Sequence, residues 1–246
     1  MTIPYVHDEN VHHMGSPEAL VPVLIDLFRP ASVVDFGCGI GTFLRAFREK
    51  GLEDVLGLDG PWVDREKLVK NIPKTYFREC DLGKSVQLDR HYDLAISFEV
   101  GEHLPPDRAD TFVENIARSS DIVVFGAAIP FQGGQHHLNE QWPEYWADHF
   151  AKQGLQQYDL IRPAIWNNEE IQAWYRQNIF VYARSHVQLP MDRTGIFPPN
   201  FRAVHPELFT EKAVRMEEIL SGRATIQEYL KLLGKALIRA TGRWRP

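Results

Sequence analysis

The stretch Ala31-Ser-Val-Val-Asp-Phe-Gly-Cys-Gly-Ile-Gly-Thr42 decides the fold. Its first half is short and mostly apolar, which predicts a buried strand. Gly37, Gly39 and Gly41 follow as a loop, and residues 42–50 predict a helix that ends before a glycine. A strand, a glycine loop and a helix in this order place bare backbone and a helix N-terminus beside a ligand.

Strand-like and helix-like segments alternate from about residue 16 to residue 184. This alternation predicts an α/β sheet with helical crossovers. Strands are predicted at residues 31–36, 55–58, 76–80, 92–100, 121–128, 155–161 and 178–184, and helices at residues 17–28, 42–50, 107–119 and 143–153. Residues 129–141, which hold two glycines and two histidines, predict a polar loop.

The composition excludes several classes of protein. The chain has 246 residues, 44% of them hydrophobic and 24% charged, which is typical of a globular protein. Its net charge of −6 argues against nucleic acid as a partner. No apolar run reaches the roughly 20 residues that span a bilayer, and the N-terminus shows no secretory signal. We therefore expect a cytoplasmic protein with two reduced thiols, Cys38 and Cys80.

The glycine loop excludes two common nucleotide sites. A dinucleotide fingerprint needs a third glycine or alanine where Thr42 stands, and no Gly-Lys-Ser/Thr follows to make a phosphate-binding P-loop. Asp59 lies 22 residues after Gly37, the distance expected of a ribose-binding carboxylate. Its alternative interpretation is a solvated turn aspartate before Gly60.

An acidic residue opening a G-x-G-x-G loop, with a second acid ending the next strand, resembles the class I S-adenosylmethionine (SAM) dependent methyltransferases. The resemblance covers about residues 15–184 and implies a Rossmann-like seven-stranded sheet with an antiparallel last strand, followed here by C-terminal helices. It implies that Asp35 and the glycines hold the methionine part of SAM, that Asp59 takes both ribose hydroxyls, and that Asp81 meets the adenine amino group. A helix N-cap is the alternative role for Asp81.

Residues 92–105 resemble the fourth-strand motif of small-molecule methyltransferases, in which the residues after the strand line the sulfonium. Together these motifs imply one set of SAM-binding residues. The set is Asp35, Gly37, Cys38, Gly39, Gly41, Asp59, Gly60, Asp81, Leu82, Phe98, Glu99, Val100 and His103.

Residues 133–146 follow the fifth strand, at the edge of the sheet where ligands bind. They resemble a bacterial methyltransferase subgroup with a His-x-Asn-Glu-Gln-Trp-Pro-x-Tyr-Trp stretch and a later Trp-Tyr-Arg-Gln-Asn stretch, here residues 174–178. Members are found among surface-glycan and secondary-metabolite (natural-product) biosynthesis enzymes. A hydroxyl acceptor must lose a proton, and histidine suits that task. His137, His136 and His103 are the candidate bases; the alternative for each is a structural or exposed histidine.

A metal site is the third interpretation of the histidine pair. His137 and Glu140 are three residues apart, but the flanking glycines predict a loop, and the sequence places no third ligand. We therefore predict no metal. Tyr175 is the aromatic residue expected to face the sulfonium, because an aromatic ring attracts a desolvated cation. Asn139 is the candidate donor to the methionine carboxylate or to the acceptor.

The predicted function is transfer of a methyl group from SAM to oxygen or nitrogen of a small molecule, a sugar or a natural-product intermediate. Two alternatives stay open. Azetidine-2-carboxylate synthases resemble methyltransferases, yet they cyclise SAM alone and release methylthioadenosine. A SAM-binding regulator without catalysis is the third possibility.

Three parts are expected along the chain: residues 1–30 with a lid and a first helix, the SAM-binding core at 31–184, and a C-terminal extension at 185–246. Ser16 is the predicted N-cap of the first helix. The extension begins as a loop over residues 185–210, and Thr225-x-x-Glu228 predicts a capped last helix. The apolar face of that helix is expected to pack against the protein rather than a membrane, and a homodimer is a further possibility.

Overall fold

The computed structural model describes residues 13–190 and 202–240. The described residues up to Ala203 form one compact unit, and those from Val204 onward form a second. The first unit is built on a seven-stranded sheet. Its strands are β1 (Ser32–Phe36), β2 (Asp54–Asp59), β3 (Phe77–Glu79), β4 (Leu94–Phe98), β5 (Ile122–Gly126), β6 (Leu155–Tyr158) and β7 (Phe180–Arg184).

Among the described residues, seven α-helices belong to the first unit and two to the second. The first seven are α1 (Gly15–Phe28), α2 (Thr42–Glu49), α3 (Arg65–Asn71), α4 (Ala109–Ser119), α5 (Pro143–Lys152), α6 (Arg162–Ile165) and α7 (Ala173–Asn178). The second unit holds α8 (Pro206–Leu220) and α9 (Ile226–Ala240).

The strand order is β3-β2-β1-β4-β5-β7-β6. Strands β1 to β5 pair in parallel, whereas β7 runs antiparallel to both β5 and β6. Every residue of β1 and β4 is buried, as expected for central strands covered by helices on both faces. The predicted Rossmann-like sheet with an antiparallel last strand is confirmed. The strand order switches at β1, with β2 and β3 on one side of it and β4 and β5 on the other. The carboxyl ends of β1 and β4 therefore border one crevice.

One local prediction on the first unit is wrong, and one helix was missed. Helix α1 begins at Gly15 with Met14 as its N-cap, so Ser16 does not cap it. The Ser16 hydroxyl is buried and accepts a hydrogen bond from the Gln172 N–H at 2.9 Å, which ties α1 to the segment before α7. Helix α3 was not predicted; Asp64 caps it by accepting the N–H of Glu66 and Lys67, each at 3.0 Å.

The second unit also corrects the sequence interpretation. The loop predicted over residues 185–210 ends earlier, because Pro206 starts α8, a position that suits proline. The capping box is confirmed: the Thr225 N–H donates to Glu228 Oε2 at 2.8 Å, and the Glu228 N–H donates back to Thr225 Oγ1 at 3.4 Å. The apolar face of α9, which includes Ile226 and Leu230, was expected to pack against the rest of the protein, and that expectation stays a prediction.

Two further expectations concern the ends of the chain. The predicted lid before α1 lies outside the described residues except for His13. Among the described helices, none combines the length and the apolar character that a membrane span requires. The division of the chain at residues 30 and 184 separates expected functions rather than compact units, and it stays a prediction.

Candidate active site

The glycine loop after β1 requires its glycines. Gly37, Gly39 and Gly41 have φ of +90°, +52° and +81°, a region that side chains with a Cβ rarely adopt. A Cβ on Gly37 would also lie 2.2 Å from Cγ2 of Val100. The Gly37 N–H donates to the carbonyl of Leu58 at 2.7 Å. The loop is therefore held between the ends of β2 and β4, and Gly41 begins α2.

Asp59 ends β2 and faces this loop. Its Oδ2 accepts the Gly39 N–H at 2.8 Å, and its Oδ1 accepts the Gly60 N–H at 2.6 Å. Burial raises the pKa of Asp59 to about 6, although the hydrogen bonds from Gly39, Gly60 and the Trp62 indole oppose that rise. A carboxylate has about four lone-pair sites, so acceptor capacity remains for ribose hydroxyls. This geometry fits the ribose-binding role and not a solvated turn aspartate.

Asp35 and Cys38 are buried beside Asp59. Burial raises the pKa of Asp35 well above its usual range, and the negative charge of Asp59 raises it further. A cationic group such as the amino group of methionine would relieve this repulsion, which fits the predicted role of Asp35. Burial likewise raises the pKa of the Cys38 thiol, which therefore stays protonated at neutral pH. Its Sγ packs against Gly57, where a Cβ would lie only 2.6 Å away.

Asp81 and Leu82 follow β3 next to Asp59, since the Cys80 N–H donates to the Asp59 carbonyl at 2.8 Å. Asp81 Oδ1 accepts the Gly83 N–H at 3.0 Å, a turn rather than a helix cap. The Asp81 side chain is exposed and Leu82 is buried. The structure thus places the expected adenine-binding pair beside the expected ribose-binding residue.

Glu99 ends β4 in a left-handed conformation, with φ of +55°. Its Oε2 accepts Nε2 of Gln132 at 2.7 Å, and its Oε1 accepts Nδ2 of Asn178 at 2.9 Å. Burial raises the pKa of Glu99 to about 7 despite these amide donors. The strained backbone turns the Glu99 side chain toward the loop after β5 and the end of α7, which a regular strand would not do.

Glu102 lies one turn beyond, with 0% of its surface exposed. Neither of its carboxylate oxygens has a hydrogen-bond partner among the described residues. Burial raises the pKa of Glu102 well above its usual range, and the neighbouring charge of Glu99 raises it further. Its backbone carbonyl accepts the N–H groups of Leu138 at 2.7 Å and Asn139 at 3.0 Å, which fixes the loop that carries His137.

His137 lies in the loop after β5, between Glu140 of the same loop and Glu102 of the segment after β4. Its Nδ1 lies 2.8 Å from Glu140 Oε1, and its Nε2 lies 4.0 Å from Glu102 Oε1. The His103 ring stands perpendicular to the His137 ring, with centroids 4.8 Å apart. Burial and the neighbouring His137 together lower the pKa of His103 to about 4, so His103 is neutral at pH 7. His136 is exposed, with φ of +56°, and it lies close enough to His103 to influence that pKa.

Two other predicted residues border the site. Tyr175 packs edge-on against Phe43 of α2 and Phe98 of β4, with centroids 5.5 and 6.0 Å away. It therefore lies between the glycine-loop helix and the end of β4, and its contact with the sulfonium stays a prediction. Asn139 is buried and holds Gln141 Nε2 at 3.0 Å through its Oδ1. Its predicted role as a ligand donor also stays a prediction.

Sequence reasoning missed several polar residues of this site. Gln132 and Asn178 hold Glu99, yet they lie 33 and 79 residues from it in the chain. Trp62 packs its ring on Gly60, where a Cβ would lie 2.3 Å from it. Glu102 lies within residues 92–105, which resemble the fourth-strand motif, but no sequence pattern indicated its role. Its only sequence signal was an acidic residue four positions after a mostly apolar strand.

Comparisons with known proteins agree with this fold. DesVI from Streptomyces venezuelae is 16% identical, with a TM-score of 0.53 over 74% of this chain and 100% of that chain. The sugar N-methyltransferase KedS8 from a Streptoalloteichus species is 14% identical, with a TM-score of 0.58 over 75% of this chain and 94% of that chain. An O-methyltransferase family protein from Burkholderia thailandensis is 14% identical, with a TM-score of 0.51 over 73% of this chain and 59% of that chain.

At these identities, the solved structures show a shared fold. No curated protein sequence matches the chain significantly. The family model described as "Methyltransferase domain" matches residues 12–159, which is more than half of the chain. The glycine loop and the buried Asp59 fit the SAM that such a domain uses. The chain therefore belongs to the methyltransferase-domain family and is a SAM-dependent transferase.

Proposed function

We propose that the protein transfers the methyl group of SAM to a hydroxyl oxygen of a small polar molecule. The observation that carries this proposal is the group formed by His137, Glu140 and Glu102 at the carboxyl end of β4. In the reaction, the carbon–sulfur bond breaks and its electron pair stays on sulfur, giving S-adenosylhomocysteine. The acceptor oxygen forms the new bond to the methyl carbon and loses its proton.

The chemistry of the acceptor explains the polar surroundings. A neutral hydroxyl is a weak nucleophile until its proton is removed or its negative charge is stabilised. His137 is oriented by Glu140 through Nδ1, so its Nε2 faces the end of β4. This arrangement resembles the pairing of base and orienting carboxylate in other transferases and hydrolases.

The acceptor class is a polyhydroxylated small molecule such as a sugar. Side-chain amides of Gln132 and Asn178 stand beside Glu99, and such amides pair well with sugar hydroxyls. The printed name of KedS8 describes a sugar N-methyltransferase, which supports a sugar as acceptor and offers nitrogen as the competing site. The net charge of −6 disfavours a nucleic-acid acceptor.

The test follows the methyl carbon. The full chain is incubated with SAM labelled with carbon-13 on the methyl group and a panel of sugars, amino sugars, nucleotide sugars and phenols. The proposal predicts label bound to oxygen in at least one hydroxyl compound. His137→Gln is expected to lower turnover by about 100-fold or more, whereas the matched His136→Gln keeps it. Label found only on nitrogen would contradict the hydroxyl acceptor, and methylthioadenosine without any label transfer would indicate SAM cyclisation.

A further inference from the structure

Three potential metal ligands come together beside β4. One donor atom each from Glu102, His103 and His137 lies within 4.8 Å of the others. We call these three residues the Glu–His–His cluster. Glu102 and His103 follow β4, whereas His137 comes from the loop after β5, so the fold rather than local spacing assembles them.

The carboxylate of the cluster has little compensation within the protein. Glu102 is fully buried, and neither oxygen meets the geometry of a hydrogen bond with another described residue, although the backbone N–H groups of Glu102 and Ala128 lie near it. Leaving a buried carboxylate without a partner is costly, and native structures normally satisfy such groups. Glu99 and Glu140 add two more carboxylates to the same surroundings. A bound cation accounts for this concentration of negative charge.

Neighbouring polar groups orient the rings of both histidines. The Nδ1 atom of His137 lies 2.8 Å from Glu140, which leaves Nε2 directed toward Glu102. Backbone groups of Gln135 and His136 hydrogen-bond the His103 ring. Histidine ligands to metals characteristically pass their second ring nitrogen to a carboxylate or a carbonyl in this way.

We propose that the Glu–His–His cluster binds one divalent first-row transition-metal ion, of the class of Mn²⁺, Fe²⁺, Co²⁺ or Zn²⁺. Two imidazoles and one carboxylate suit these ions and leave coordination positions open, whereas Mg²⁺ and Ca²⁺ favour all-oxygen sites. Ligands about 2.1 Å from one ion are separated by about 3.0–3.4 Å. The donor atoms lie within 4.8 Å of one another, and 4.0 Å apart in the His137–Glu102 pair, so they need to approach by at most about 1.8 Å.

The proposal departs from the prediction that the protein binds no metal. That prediction rested on the absence of a third ligand near His137, and the segment after β4 supplies two. Under the proposed function, on which this step rests, the open positions take hydroxyl oxygens of the acceptor. The ion then polarises the hydroxyl, and the proton passes to solvent water, because His137 holds the ion.

The test measures metal binding without SAM or acceptor. The untagged full chain is stripped with a chelator and titrated with Mn²⁺, Co²⁺ and Zn²⁺ by calorimetry, with the visible spectrum of the Co²⁺ form recorded in parallel. We expect one ion per chain, with micromolar or tighter affinity for at least one metal. Glu102→Gln and His137→Gln are expected to weaken binding more than tenfold, and Glu140→Gln by about 10–100-fold. His186→Gln, which changes an exposed histidine after β7, is the matched control and is expected to bind like wild type.

Thermal melting distinguishes a variant that has lost the metal site from a variant that has unfolded. Glu102→Gln replaces a buried carboxyl with an amide of the same size, so the stripped variant is expected to melt near the temperature of the stripped wild type. No metal bound by the wild type at millimolar concentration, or equal affinity in Glu102→Gln, would overturn the proposal. Full methyl transfer to a hydroxyl by stripped protein in chelator would overturn the metal role while leaving the proposed function intact.

Discussion

The Gly39 N–H donates a hydrogen bond of 2.8 Å to Oδ2 of Asp59, and this bond joins the glycine loop after β1 to the end of β2. It therefore couples the two halves of the expected SAM site. Removing the carboxylate should release the loop and also delete the acceptor of the ribose hydroxyls. We predict that Asp59→Ala weakens SAM binding by about tenfold or more, measured by calorimetry.

The matched control for this variant is Asp89→Ala, which removes a carboxylate from an exposed position. It should bind SAM like wild type. If both variants bind SAM with wild-type affinity, the assignment of Asp59 to the cofactor site is wrong.

The affinity for SAM should depend on pH. Burial raises the pKa of Asp59 to about 6, so the carboxyl takes up a proton as the pH falls through that value. A protonated carboxyl accepts hydrogen bonds from ribose hydroxyls less well. We therefore expect the affinity to be constant near pH 7 and to fall several-fold toward pH 5.

The fall should be smaller in Asp59→Asn, which cannot titrate at that position. A profile from pH 5 to pH 7.5 checks this comparison, and the same decline in both proteins would exclude Asp59 as its source. The direction follows from linkage: ribose hydroxyls favour the ionised carboxylate, so binding releases a proton below the pKa of the free protein.

Gly37 is required for two reasons, its left-handed backbone and its close contact with Val100, and Gly51 shares only the first. Gly37 and Gly51 both have φ of +90°, but a Cβ would lie 2.2 Å from Val100 at position 37 and would meet no atom within 4 Å at position 51. We predict that Gly51→Ala costs about 1–2 kcal/mol of unfolding free energy for the left-handed backbone alone.

Gly37→Ala should cost about 1–3 kcal/mol more because of the overlap with Val100. Urea denaturation measures both values. Adding Val100→Ala to Gly37→Ala should recover part of the difference. Equal costs in the two single variants would show that close packing against β4 is not what requires Gly37.

A buried ion pair holds the segment that carries Asn178. Arg162 Nε lies 3.0 Å from both oxygens of Asp159, and its Nη1 donates to the Gln177 carbonyl at 3.2 Å. Both side chains are nearly inaccessible. Arg162→Met leaves the Asp159 carboxylate buried without its partner, so we predict a loss of about 3–5 kcal/mol in unfolding free energy.

The control is Arg45→Met, since Arg45 pairs with Glu49 at 2.8 Å on the surface. Exposed pairs of this kind contribute little, and a loss of up to about 1 kcal/mol is expected in chemical denaturation. If Arg162→Met costs no more than Arg45→Met, the buried pair does not stabilise the fold.

The sheet could be predicted because each strand carries its own local signal. The apolar run before Gly37 and the acid at Asp59 are visible in the sequence, and both lie where the resemblance placed them. Helix α3 escaped prediction because its seven residues contain one buried side chain, Leu68, and so show no apolar period. Ser16 looked like a cap because its true partner, Gln172, lies 156 residues away.

The candidate site shows the same division between local and distant information. His137 and Glu140 are near each other in sequence, and their spacing was weighed as a metal pair that the flanking glycines argued against. Glu102 lies 35 residues before His137, and only the sheet order brings β4 beside β5 and its loop. The burial of Glu102 is a property of the folded chain, and it supports the proposal that His137 is a metal ligand.

The fate of SAM tests the central claim most directly. The purified chain is incubated with SAM alone and with SAM plus the hydroxyl panel, and S-adenosylhomocysteine and methylthioadenosine are quantified by chromatography. The account predicts no consumption of SAM by the protein alone, and S-adenosylhomocysteine in equal amount to an O-methylated product once an acceptor is present. Methylthioadenosine with a cyclic amino acid from SAM alone would contradict it, as would bound SAM that no acceptor consumes.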